Sequence, residues 1–332
     1  MAYRNIRLVN LFVVLYPPFQ QRKKEHGRDT KQRKEGGMGG NFHRLAVAVS
    51  FSPRREAILA EVARIRRMLH AQVTIIHVGK PNERSIVHLE SLLEKYGLDG
   101  PDCKLVFQPA GRVASIVRLC REQQVELLIC GAVPNNGILD VLWGSVAKRL
   151  IKNAPCSILV LAKPKMKAQP YRKIVVSANQ QTAMSRRWQY SEAEATDSLQ
   201  ENIQKAMAWA RADAAETIHV LREANHYGLA MSTSADEPEE QHGRLRRQLV
   251  SESIAAVELL IGPYMEELPT PNIKITGGKM GVELAAFARK AKADLLVMQA
   301  PAAEKLGFFW RMASPEFEHI LAELPCNLLL TK

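Results

Sequence analysis

Two stretches of this chain, residues 44–163 and 173–332, pass through the same five apolar patterns in the same order. LAVAVS (Leu45 to Ser50) is echoed by KIVVS (Lys173 to Ser177), and TIIHV (Thr74 to Val78) by TIHVL (Thr217 to Leu221). KLVFQPAGR (Lys104 to Arg112) is echoed by IKITGGK (Ile273 to Lys279), and VELLICGA (Val125 to Ala132) by ADLLVMQA (Ala293 to Ala300). The last pair is APCSILVLAK (Ala154 to Lys163) and LPCNLLLTK (Leu324 to Lys332). A repeat of this length means one supersecondary unit used twice, so the fold of the unit decides the fold of the chain.

Each unit alternates strand-like and helix-like patterns. In the first, Arg44–Ser50, Val73–Val78, Cys103–Gln108, Leu127–Cys130 and Ser157–Ala162 are short apolar runs rich in β-branched residues. Between them lie helical patterns. Ser52 and Pro53 are read as the cap and first residue of a helix ending near Leu69, and Gly97 closes the helix that begins at Ser85. Val113, Ile116, Val117 and Cys120 form one apolar stripe, and a fourth helix opens near Ser145. Parallel strands need a helix to return the chain, so the reading is α/β: two tandem five-stranded, doubly wound parallel sheets. Residues 42–163 form the first domain, 164–172 a Lys- and Pro-containing linker, and 173–332 the second domain. The last strand of each sheet has an open edge, so the two domains are expected to pack there as a pseudo-dimer within one chain.

The formal net charge of +12 is unevenly placed. Residues 1–41 hold nine Lys or Arg against three acids, half of the whole excess. LVNLFVVLY (Leu8 to Tyr16) is too short to span a bilayer, which takes about 20 apolar residues. Residues 1–41 are therefore read as a basic, disordered extension, with an interfacial anchor as the alternative. Lys34-Glu35-Gly36-Gly37 before Met38 is what a ribosome-binding sequence would encode if translated, which makes Met38 the expected start. Cys103, Cys120, Cys130, Cys156 and Cys326 form no CxxC pair, and the nine histidines form no HExxH, so neither a disulfide framework nor a metal is expected. The basic triplets Arg64, Arg66, Arg67 and Arg244, Arg246, Arg247 lack interleaved aromatics and read as solvated helix faces, with no specific nucleic-acid partner.

After the fourth strand comes GAVPNNGILDVLWGS, from Gly131 to Ser145. Its residues allow two readings: a loop whose backbone N–H groups, with the start of the next helix, hold phosphates, or a turn and helix cap with no ligand. TGGKMG (Thr276 to Gly281) lacks the glycine spacing and the Ser or Thr after Lys of a Walker loop and reads as a strand-to-helix turn.

The repeat, the Gly131-to-Ser145 spacing and the Ala-Pro-Cys before the last strand together resemble tandem universal stress proteins of the UspA-like family. The resemblance implies strand order 3-2-1-4-5, the adenine-nucleotide alpha-hydrolase-like arrangement, with ATP, and Mg²⁺ beside it, across the carboxyl ends of strands one and four. The family's phosphate loop runs Gly, two residues, Gly, nine residues, then Gly and Ser or Thr. Carried onto this sequence, the implied contacts are Ser50, Gly131, Pro134, Gly144, Ser145 and the backbone of Val146. Two positions depart from the pattern. Ser50 stands where nucleotide-binding members have Asp, leaving one hydroxyl for a carboxylate, and Pro134 stands for Gly, removing an N–H and fixing φ near −65°. In the second domain Gln299 stands for Gly131, and Ser314-Pro315 for Gly144-Ser145. The nearby Phe308, Phe309 and Trp310 read as core packing.

The implied function is a cytoplasmic stress-response regulatory module that binds ATP or another adenine nucleotide in its first domain. A nucleotide-free interaction scaffold regulating a transporter or kinase is the alternative. No Ser-His-Asp set or paired acid motif points to an enzyme, and weak ATPase activity is the residual enzymatic option. The protein partner is not legible in the sequence.

Overall fold

The computed structural model describes residues 42–50, 52–79, 83–108, 113–132, 145–179, 192–224, 239–266, 268–277, 281–300, 319–321 and 324–332. The extension 1–41, Pro134, Gly144, the Phe308-Phe309-Trp310 run and Ser314-Pro315 lie outside them.

The first half runs β1 (Arg44–Val49), α1 (Arg55–Leu69), β2 (Gln72–Val78), α2 (Glu83–Tyr96), β3 (Cys103–Gln108), α3 (Val113–Glu122), β4 (Leu127–Gly131), α4 (Ser145–Asn153) and β5 (Ser157–Leu161). The second runs β6 (Lys173–Ser177), α5 (Glu192–Ala212), β7 (Thr217–Ala224), α6 (Glu239–Ile261), β8 (Asn272–Gly277), α7 (Val282–Lys290), β9 (Leu295–Gln299) and β10 (Asn327–Thr331). All strands join one ten-stranded sheet of order β3-β2-β1-β4-β5-β10-β9-β6-β7-β8. Each half thus has the order 3-2-1-4-5 expected of it. The two expected sheets are continuous, because β5 and β10 pair antiparallel with Leu159 opposite Leu329.

Alternation along the strands explains the apolar runs. Leu45, Val47 and Val49 of β1 face a core shared with Leu59, Val62 and Ile65 of α1, while Ala46 faces a second core with Ile116 and Val117 of α3 and Leu150 of α4. A strand buried on both faces has no polar side, and each fully buried Leu or Ile contributes about 2 kcal/mol relative to exposure. The edge strands differ: β8 alternates between exposed and half-buried positions, and Lys274 at its middle blunts an open edge.

Helix ends follow one device. Leu98 N–H bonds Leu93 C=O (2.8 Å) around Gly97 at φ +65°, as expected from the glycine. The same closure recurs without glycine at His70, Gln124, Ala214 and Lys292, all at positive φ. Ala71 N–H bonds Arg66 C=O (3.1 Å) and Ala215 N–H bonds Ala210 C=O (2.8 Å), so α1 and α5 end alike. The start of α1 differs from expectation. Arg54, not Ser52, is the N-cap, and no side chain caps the helix. Ser52 is held in a turn by its N–H to Ser50 C=O (2.8 Å), and its carbonyl, rather than its hydroxyl, accepts Arg55 N–H (3.0 Å).

The segment read as a linker is pinned at its end. Tyr171 is buried, stacks on Trp209 of α5 (centroids 6.1 Å, 8° between planes) and donates its N–H to Asp213 (3.2 Å). Asp213 also accepts Trp209 Nε1–H (3.0 Å) and pairs with Arg64 of α1. Arg64 therefore corrects the solvated-face reading: its guanidinium lies between Glu61 (2.8 Å), Asp213 and the face of Tyr171 (4.6 Å), across the junction of the halves. Burial opposes its charge, and Glu61 and Asp213 more than offset that, raising its pKa above the ordinary guanidinium value. Arg67 and Arg247 are exposed as expected.

Candidate functional site

In an open parallel sheet the ligand crevice lies at the carboxyl ends of the strands where the order reverses, which in the first half is between β1 and β4. Ala48 of β1 lies opposite Cys130 of β4, so Ser50 and Gly131 end up on adjacent strand ends. Ser50 is exposed. Ser145 and Val146 form the first turn of α4, the helix that follows the loop. Of the six expected site residues, Ser50 and Gly131 thus lie at adjacent strand ends, Ser145 and Val146 open the helix after the loop, and Pro134 and Gly144 lie outside the described residues.

Gly131 carries a packing requirement independent of any ligand. A Cβ built on it would meet Ile58 Cδ1 at 2.7 Å, closer than atoms in contact can lie. The missing side chain lets α1 lie close over the end of β4, which narrows the crevice from the α1 side.

Three residues the sequence reading passed over line the same end of the sheet. Arg54 donates from Nη1 to Ala162 C=O (3.3 Å), just past β5. Arg55 is 6% exposed, and burial lowers its pKa, though a guanidinium stays protonated. His77 of β2 is fully buried against Phe107 (5.5 Å), and its pKa is lowered by burial first and by the charge of Arg55 second. The available signal was the pair of arginines opening a helix, where the macrodipole disfavours cations.

The second half holds polar side chains at the equivalent place. Setting α1 and α5 together by their matching ends, His70 on Ala214, places Asn202 where Ile58 stands and Ser198 where Arg54 stands. Asn202 is buried, donating to Ser177 C=O (2.9 Å) and accepting from Thr331 Oγ1 (2.7 Å). Gln299, at the position of Gly131, donates from Nε2 to Ser198 Oγ. The carboxyl ends of β6, β9 and β10 are therefore tied to α5 by side chains, leaving Gln299 no freedom to imitate a phosphate loop.

Residues 111–162, from before α3 through β5 and including the Gly131-to-Ser145 loop, match the universal stress protein family. That stretch of the chain is similar to universal stress proteins. A universal stress protein of Methanocaldococcus jannaschii is 31% identical over 83 residues, 25% of this chain and 47% of the relative. The chain thus spans about half the length of that relative. The fold of the chain is shared with solved structures. A functionally unknown protein from Pseudomonas aeruginosa PAO1 superposes with TM-score 0.65 at 16% identity, covering 88% of this chain and 92% of the other. A universal stress protein from Archaeoglobus fulgidus superposes with TM-score 0.58 at 11% identity, covering 87% and 98%. At such identities the likeness is one of fold. No helix among the described residues is long and apolar enough to cross a membrane.

Proposed function

We propose that this universal stress protein is a cytoplasmic regulatory module, not an enzyme, whose first half binds ATP or another adenine nucleotide at the β1–β4 crevice. The observation that carries this reading is the asymmetry between the halves. Gly131 brings no side chain of its own to the end of β4 and packs only against apolar Ile58, whereas the polar side chains Gln299, Ser198 and Asn202 meet at the equivalent place in the second half. The Gly131-to-Ser145 spacing supports the choice of ligand, since the loop and the first turn of α4 supply backbone N–H groups suited to phosphates. Bound Mg²⁺ would neutralise part of the phosphate charge.

Isothermal titration of the full chain with ATP and Mg²⁺ tests the reading. Binding at no more than one site per chain, lost in Gly144→Asp, is the expected result. A second equivalent site, or binding that survives Gly144→Asp, overturns it. Absence of binding favours the scaffold reading, for which Ser50 in place of the acidic residue is the supporting feature.

A further inference from the structure

We propose that Cys120 and Cys156 form a dithiol site that a hydroperoxide oxidises to a disulfide, with Cys156 attacking the peroxide and Cys120 resolving the product. The site lies between α3 and the start of β5 and uses none of the residues expected to hold a nucleotide.

The backbone brings the two residues together. Val125 N–H bonds Cys120 C=O (2.9 Å), and Ser157 N–H bonds the carbonyl of the following residue, Glu126 (3.2 Å). Cys120 and Cys156 are thus joined through two hydrogen bonds and their chain neighbours. Both residues lie in one apolar core, 1% and 5% exposed, and the Cys120 thiol donates to the Cys156 sulfur.

Polar groups single out Cys156 as the nucleophile. Besides the Cys120 S–H, its sulfur faces the N–H groups of Leu128 and of Cys156 itself. Lys332 adds a cation, anchored on both sides of the cysteine: its N–H bonds Ser157 Oγ (3.1 Å) and its ammonium donates to Ala154 C=O. The bond from Cys120 first, and then the Lys332 charge and the backbone N–H groups, draw the Cys156 pKa down against burial. The Cys120 thiol, which donates that bond from a buried site, is held well above its ordinary value. Peroxide is attacked by a thiolate, so Cys156 reacts first.

The second half repeats this backbone without the second thiol. Ala293 N–H bonds Ala288 C=O (3.0 Å) and Asn327 N–H bonds Asp294 C=O (3.3 Å), so the same two bonds recur with Ala288 for Cys120 and Cys326 for Cys156. Cys326 is 8% exposed, no deeper than Cys156, yet burial and then Asp294 push its thiol up to about 12. Backbone and access match in the two copies. The partner thiol and the Lys332 charge are what differ.

A hydroperoxide is the oxidant. The Cys156 thiolate takes its distal oxygen, the O–O bond breaks, and hydroxide or alkoxide leaves with a proton as water or alcohol, giving a sulfenic acid on Cys156. The Cys120 sulfur then attacks that sulfur, its proton departs with the hydroxyl as water, and the disulfide ties α3 to β5. Two thiols are oxidised for one peroxide reduced.

The test treats the folded full-length chain with hydrogen peroxide, alkylates the remaining thiols with iodoacetamide in denaturant and maps the peptides by mass. The expected product is a Cys120–Cys156 cross-linked peptide that dithiothreitol reverses. Cys156 should be oxidised about tenfold or more faster than Cys326. Cys120→Ala, which copies Ala288, should stop at a sulfenic acid that dimedone traps on Cys156. Absence of the cross-link, equal oxidation of Cys156 and Cys326, or pairing of Cys156 with Cys103 instead overturns the proposal. So does a cross-link that forms only once circular dichroism shows the chain unfolded. The cross-link is read on wild type, so the outcome stands even where Cys120→Ala fails to fold.

Discussion

Arg64 of the first half and Asp213 of the second form an ion pair in which the Arg64 side chain is 12% exposed and that of Asp213 only 2%. Asp213 also receives the Tyr171 N–H and the Trp209 indole N–H, so one carboxylate ties α1, the segment between the halves and α5. Removing one member of a buried pair leaves the other charge uncompensated, at a typical cost of about 3–5 kcal/mol. Asp213→Ala orphans two N–H donors but leaves Arg64 paired with Glu61 (2.8 Å), so it is expected near the lower end of that range. Arg64→Met keeps the packing against Tyr171 but leaves both Glu61 and Asp213 without their cation, so it should cost more. Denaturant unfolding of the two variants gives the order, and equal losses would show that the Arg64–Asp213 pair alone, without Glu61, sets the energetics.

Gly131 and Ile58 are expected to be coupled. Gly131→Ala drives a methyl against Ile58 Cδ1, the far end of a flexible side chain, so the cost should be modest, about 1 kcal/mol. Ile58→Val removes that Cδ1. In a double-mutant cycle the pair should therefore lose less than the sum of the single changes. Additive losses would place the strain elsewhere around Gly131.

Buried His77 and half-buried His219 set an acid limit. His77 and His219 both have lowered pKa values, each through burial first, followed by the charge of Arg55 for His77 and of Lys274 for His219. A depressed histidine pKa means that the unfolded chain takes up protons the folded chain refuses. Stability is then full above the unfolded value, about 6.5, and falls as pH drops below it toward the folded value. Urea midpoints at pH 7.5 and 5.5 measure the fall, and His77→Gln should reduce it. A midpoint that rises on acidification would contradict the sign.

Much of this arrangement is legible in the chain itself. The five repeated patterns locate the strands because strands buried on both faces must be apolar at successive positions, as in Leu127 to Cys130. Gly97 announces a helix end because it needs no Cβ at positive φ. His70 and Ala214 end helices in the same conformation without a glycine to announce it; both are exposed, and the residue after each, Ala71 or Ala215, is buried. The end of β4 at Gly131 and the start of α4 at Ser145 were legible from spacing, and the destinations of long side chains were not. Arg54 reaches beyond β5 and Arg64 reaches Asp213, and neither destination can be read from a helical pattern.

The antiparallel seam between β5 and β10 also has an evolutionary consequence. When two identical chains meet at such a seam, any substitution appears on both sides, so closing one crevice closes the other. With both copies in one polypeptide that constraint disappears. Gln299, Ser198 and Asn202 could then tie the strand ends of one copy together while Gly131 and Ile58 kept an apolar contact in the other. Covalent linkage thus lets the two copies of one unit diverge independently.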